Sequence, residues 1–123
     1  MISAAVASAN LLTNPGFEIG TALEGWGQSG WYVGNGADAH SGTNGAAYWV
    51  PTGTSSGNYY VALQYVPVTE SSQYDLTGWM RIAGTAAGAE SFLEVIFHDS
   101  SNAWISGSAT PHLTTVGVYS QFS

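Results

Sequence analysis

The sequence predicts an all-β fold, a sandwich or a barrel. Two observations carry this. No segment keeps a helical hydrophobic period, and short runs of β-branched and aromatic residues alternate with clusters of Gly, Ser, Asn and Pro. A third is the length of 123 residues, which suits one domain with a single core. Residues 10–123 are read as that domain, and residues 1–9 as an apolar N-terminal arm or the remnant of an export signal.

The elements follow in order. Leu11-Leu12 is a short apolar strand, broken by Asn14-Pro15-Gly16. Phe17 and Trp26 are apolar anchors on either side of the loop that carries Glu18. Gly30–Asn35 is a strand between glycines, and Asp38–Gly42 is a loop and turn. Ala46–Val50 is a strand ended by Pro51, and Thr52–Gly57 is a flexible Ser/Thr/Gly loop. Asn58–Val68 is the longest strand signal. Tyr59, Val61, Leu63 and Tyr65 share one face, and Tyr60, Ala62, Gln64 and Val66 the other. Both faces are mostly apolar, which predicts a central strand.

In Tyr74–Ile82, the residues Tyr74, Leu76, Gly78, Met80 and Ile82 form the core face. Asp75, Thr77, Trp79 and Arg81 form the other. Gly84–Gly88 is a loop of small residues. Ser91–His98 alternates Leu93, Val95 and Phe97 against Phe92, Glu94, Ile96 and His98. Asp99–Asn102 is a hairpin turn, Trp104-Ile105 begins the return strand, and Val116–Phe122 is one more strand.

Composition excludes some functions. Charged residues make up 7% of the chain, Arg81 is its single cation, and the net charge is -7. One Arg cannot build the basic patch that nucleic acid or an anionic membrane surface needs. No stretch has the apolar length of a membrane-spanning helix. The absence of cysteine leaves the compartment open. Ala7-Ser8-Ala9 fits the small-residue pattern of a signal-peptidase site with Asn10 as the mature start. That predicts export, against the blander reading of a flexible tail.

Catalytic signals are weak. Ser29 in Gly27-Gln28-Ser29-Gly30 lacks the strand-to-helix context of a nucleophile elbow. Glu94 and His98 share a strand face but stand two pleats apart. Asp75 and Glu94 are the best candidates for a carboxyl pair across a sugar. His40, His98 and His112 have no zinc-ligand spacing. No enzyme is expected. Calcium takes loop carbonyls and carboxylates, and Glu18 with the loop from Asp38 to Asn44 supplies some of these. Carbohydrate recognition combines flat rings with polar hydrogen-bonding groups. Trp79, Arg81, Asp75, Glu94, His98 and Gln64 make such a surface if their faces coincide. The competing reading buries Trp79 under a loop.

The run Asn10-Leu11-Leu12-Thr13-Asn14-Pro15-Gly16-Phe17-Glu18, with Gly25-Trp26 and His40-Ser41-Gly42, resembles the start of bacterial extracellular carbohydrate-binding modules of families 4, 9, 16 and 22. Gln64-Tyr65-Val66-Pro67-Val68, Tyr74-Asp75-Leu76-Thr77-Gly78-Trp79 and Phe97-His98-Asp99-Ser100-Ser101-Asn102 extend the likeness. The resemblance implies an antiparallel jelly-roll β-sandwich, secreted or at the cell surface, with a polysaccharide as partner and no catalysis. It implies a structural calcium at Glu18 and a binding cleft on the sheet face of Trp79 and Arg81. Such modules continue with one or two further strands, the last bearing an Asp-Asp-hydrophobic segment that completes the calcium site. This sequence has no counterpart to it. Hence a second expectation: copies of the chain complete one another by strand exchange, with Ala4, Ala5, Val6 and Ala7 as the donated segment. The domain would then be a subunit of an extracellular filament or particle.

Overall fold

A computed structural model describes residues 9–50, 57–84 and 88–123. The expected donor segment Ala4–Ala7 and most of the loop expected at residues 52–57 lie outside the described residues, as does the middle of the Gly84–Gly88 loop. The fold is all-β. Its regular elements are eight strands and one turn of 3-10 helix, and the strands pair as four two-stranded antiparallel sheets among the described residues. The chain divides into two compact units. One comprises Met1–Pro51 and Gly57–Thr69, the other Thr52–Ser56 and Glu70–Ser123.

In the first unit β1 (Gly27–Gln28) pairs with β4 (Ala62–Leu63), and β2 (Tyr32–Asn35) with β3 (Asn44–Ala47). The 3-10 turn Gly36–Asp38 folds back over the Gly34–Gly45 rung of the β2–β3 hairpin. A Cβ at Gly34 would stand 2.6 Å from the Asp38 Cβ, and one at Gly45 would strike the Asp38 carbonyl oxygen. Only glycine allows this approach on both strands.

Leu11-Leu12 forms no strand. The Asn10 side-chain oxygen accepts the Leu12 N–H at 3.0 Å and folds the segment back on itself. The Ala46–Val50 strand starts earlier than expected, at Asn44, because its partner β2 spans only Tyr32–Asn35. Tyr48, beyond that pairing, packs against Trp31 (centroids 5.8 Å apart) and stacks on Tyr60 (4.1 Å). Desolvation, then the bond to the Tyr60 hydroxyl, holds the Tyr48 phenol above its usual 10.0.

Asn58–Val68 is not a central strand. Exposure alternates through it, where the sequence predicts both faces covered, and only Ala62–Leu63 pairs, with β1. Tyr59, Val61, Leu63 and Tyr65 all face solvent. The reason is the shortness of β1, which is bounded by the Trp26 turn and by Gly30 in the left-handed region.

In the second unit β5 (Gly78–Met80) pairs with β8 (Ser120–Phe122), and β6 (Glu94–His98) with β7 (Trp104–Ala109). Met80, Ile82 and Leu113 form its buried cluster, with Ala89, Leu93 and Phe122 packed against it. The predicted core face of Tyr74–Ile82 is therefore the observed one. Leu113 is seated by reciprocal backbone bonds with Ser91 at 3.1 and 2.7 Å. Beside it, His112 Nδ1 meets Glu90 Oε2 at 2.6 Å, and the His112 ring stacks on Phe92.

The Asp99–Asn102 turn is as predicted. Asp99 Oδ1 accepts the Ser101 N–H, the Ser101 hydroxyl and the Ala103 N–H. These bonds, that of the Ser101 hydroxyl foremost, hold its carboxyl below the usual carboxylate range.

Candidate functional site

The structure distributes the six expected sugar contacts over four places. Trp79 and Arg81 stand two residues apart, on the side of β5 that faces away from the Met80–Ile82 cluster. Their Cα atoms are about 6.6 Å apart along an extended chain. Trp79 is 46% exposed, so no loop covers it. Directly across from it on β8 is the exposed Gln121, and cross-strand partners share a face. Continuing the register brings Tyr119 opposite Arg81, and the guanidinium lies 5.0 Å from the Tyr119 ring centroid. That is cation–π distance. Tyr119 and Gln121 were not singled out from the sequence, although their strand was. Its partner was unknown, so its faces could not be matched to those of Trp79.

Glu94 and His98 share the face of β6 that also carries Ile96. Leu93, on the opposite face, packs into the core cluster and against the Gly78 position of β5. The outer side of β6 therefore points away from β5, while Trp79 points away from β6. The faces of Trp79 and Glu94 do not coincide. Glu94 and His98 are also about 13 Å apart along the strand, beyond direct proton transfer. His98 Nδ1 lies 3.1 Å from the Asn102 carbonyl. A carbonyl only accepts, so Nδ1 carries the proton.

Asp75 follows the exposed alternation of Thr77 and Trp79. It also lines a groove of about 370 Å³ whose floor is Leu76, Leu93, Val95 and Phe97 and whose rim includes Ser108 and Thr110.

Gln64 belongs to the first unit and has a structural task there. Its Oε1 accepts the Thr13 N–H at 2.6 Å. Its Nε2 donates to the Thr13 carbonyl at 3.0 Å and to the Gly25 carbonyl at 2.7 Å. Both amide donors are spent on the backbone.

Asn14 works in the same way. It is buried, at 6% exposure, and sits at φ 50. Its amide donates to the Ile19 and Glu24 carbonyls and accepts the Ile19 N–H. Trp26 Nε1 donates to the Asn14 carbonyl, and Trp26 packs on Phe17 with centroids 5.2 Å apart.

Glu18 and the loop from Asp38 to Asn44 do meet. Glu18 Oε1 accepts the Thr43 N–H at 2.8 Å and the Asn44 N–H at 3.0 Å, and Asn44 Nδ2 donates to the Phe17 carbonyl at 3.4 Å. Gly42 holds φ +73 to turn these N–H groups toward the carboxylate, and a Cβ there would strike Glu18 Oε1. The loop thus presents donors that suit an anion. Among the described residues, no three His, Cys, Asp or Glu side chains gather as a metal group. Among them, too, no helix is long and apolar enough to cross a membrane.

No family model, curated protein or solved structure matches this chain.

Proposed function

We propose that the protein is a non-catalytic, extracellular glycan-binding module of jelly-roll type, and that Trp79 is its stacking platform. One observation carries this: a half-exposed indole stands beside the chain's only cation on a sheet face turned away from the core. The apolar face of a pyranose stacks on such a ring, while planar and charged donors fix its hydroxyls. Arg81 and Gln121 supply those donors, and Tyr119 holds the guanidinium in place. A single cation and a net charge of -7 disfavour an anionic ligand.

The test is affinity electrophoresis in gels containing xylan, mixed-linkage β-glucan or a soluble α-glucan. At least one gel should retard the protein, and Trp79→Ala should remove most of that retardation. Equal retardation of wild type and Trp79→Ala in every gel would refute the site.

A second reading is supported by the groove between Leu76 and the inner face of β6. Its apolar floor suits an extended chain of small apolar residues. In that reading Ala4–Ala7 of a neighbouring copy fills it, and the protein is a subunit of an extracellular assembly. Val6→Asp should then shift the mass measured by light scattering down to that of a monomer. A wild-type protein that is monomeric at all concentrations would refute it.

A further inference from the structure

We infer that Trp104 is a second sugar-stacking platform, turned the opposite way from Trp79, so that one molecule binds two glycan chains and bridges them. This rests on the glycan reading for its ligand class but on separate residues for its geometry.

The β6–β7 register sets the platform. Glu94 pairs with Ala109, Ile96 with Gly107 and His98 with Trp104. The register shifts between Phe97 and His98, because Ile105 is an extra residue between Trp104 and Ser106. The bulge leaves Trp104 on the same side as Ile96 and Gly107, the outer side of the sheet. Val95, Phe97, Ser106 and Ser108 take the inner side.

Trp104 is 67% exposed. Its Nε1 lies 3.8 Å from where a Cβ of Gly107 would be, and the Ile96 Cγ1 lies 3.7 Å from the same point. The indole therefore lies along the sheet, over the one position in that row with no side chain to lift it. Its Nε1 edge reaches over Gly107, and most of the side chain meets solvent. His98 and Glu94 lie on the same sheet face. His98 is at the hairpin end, its imidazole oriented by the Asn102 carbonyl. The exposed Glu94 is the next residue beyond Ile96 on this face.

The chemistry selects the ligand. The single cation of the chain is Arg81, on β5's outward side, so this face has no group to neutralise a phosphate. A flat indole with a carboxylate and an imidazole on the same sheet face suits a neutral sugar ring, with C–H groups on the indole and hydroxyls toward those polar groups. Leu93 packs toward β5 and Met80 lies in the same cluster, so the Trp79 and Trp104 faces point apart. Two chains bound there stay separate.

Isothermal titration of the full chain with a hexasaccharide of whichever glucan or xylan retards it tests this directly. Two sites per chain are expected for wild type, and one for Trp104→Ala or Trp79→Ala. Gly107→Val, which keeps the indole but lifts it off the sheet, should also leave one site, and so controls for misfolding of Trp104→Ala. Wild type should raise the light scattering of the polysaccharide solution, and all three variants should abolish that rise. A single site lost only in Trp79→Ala overturns the second platform and leaves the first intact. Absence of glycan binding by wild type overturns both. If Trp104→Ala turns a glycan-free dimer into a monomer, the face is a contact between copies and the inference fails.

Discussion

The contact between Glu18 and the loop at Gly42 yields a quantitative prediction. Glu18→Ala removes two N–H to carboxylate bonds, of 2.8 and 3.0 Å. Bonds to charged groups contribute about 1.5–3 kcal/mol each when sheltered. Here water can replace the carboxylate, so the loss is about 1–2 kcal/mol in all. Gly42→Ala puts a Cβ at φ +73, costing about 1–2 kcal/mol in backbone strain. Its Cβ also displaces the same carboxylate, so this variant loses the Glu18 bonds as well and falls by about 2–4 kcal/mol. The double variant counts those bonds once. The two changes should therefore couple by about 1 kcal/mol or more, where independent sites add within about 0.5 kcal/mol. Thermal melts followed by circular dichroism resolve this, since 1 kcal/mol moves the midpoint by about 3–6 °C in a chain of this size. Each melt is run with calcium and with a chelator. Additivity within error would refute the coupling. A midpoint that calcium raises in wild type but not in Glu18→Gln would show that a metal, not the Thr43 and Asn44 N–H groups, holds the carboxylate.

The other predictions concern single contacts. Gln64→Ala should lose about 2 kcal/mol in urea unfolding from three backbone bonds. Gln64→Glu should lose more, because it sets a carboxylate against the Thr13 and Gly25 carbonyls. Neither should alter glycan affinity once folded. Asp99 titrates lower in the folded hairpin than an ordinary Asp, near 3.8, does. Its stabilisation is thus complete above that value and is lost as pH falls through the folded one. Amide exchange at Ser101 and Ala103 should accelerate in that acid range, and Asp99→Asn should remove the dependence. Tyr119→Leu should cost about 0.5–1 kcal/mol of stability and also weaken glycan binding. Arg81→Ala added to it should cost less binding than it does in wild type. Full additivity would show that Tyr119 does not position the guanidinium.

Period-two patterning made much of this structure legible. It placed Met80 and Ile82 inside and Trp79 outside, and it separated Leu93 from Glu94. The Asp99–Asn102 turn was legible because its residues cap their own backbone, as the three bonds to Asp99 Oδ1 show. Alternation, however, assigns faces only within one strand. It does not say which face of one strand meets which face of another. That is why Trp79 and Glu94 read as one surface and fold as two. Gln64 failed differently. A Gln on a half-apolar strand looks like a ligand contact, and only the approach of Thr13 and Gly25 shows that its amide is spent. The strand over Asn58–Val68 read as central because both of its faces are apolar, yet pairing is limited by the two-residue β1.

The shortage of charge itself explains how these loops are held. With one cation, the chain cannot pin them with Arg or Lys ion pairs. Instead Asn14, Gln64, Glu18 and Asp99, from separate parts of the sequence, each gather two or three bonds and spend most of them on peptide groups. Such bonds hold at any salt concentration better than exposed ion pairs do. They also take these four residues out of the pool of ligand contacts. Arg81 and Gln121 stand next to Trp79, and Glu94 and His98 share the face of Trp104. Under the proposed glycan reading, a flat, neutral, hydroxyl-bearing partner would meet outward rings with polar side chains on the same faces. An anionic partner would find a single complementary cation on it.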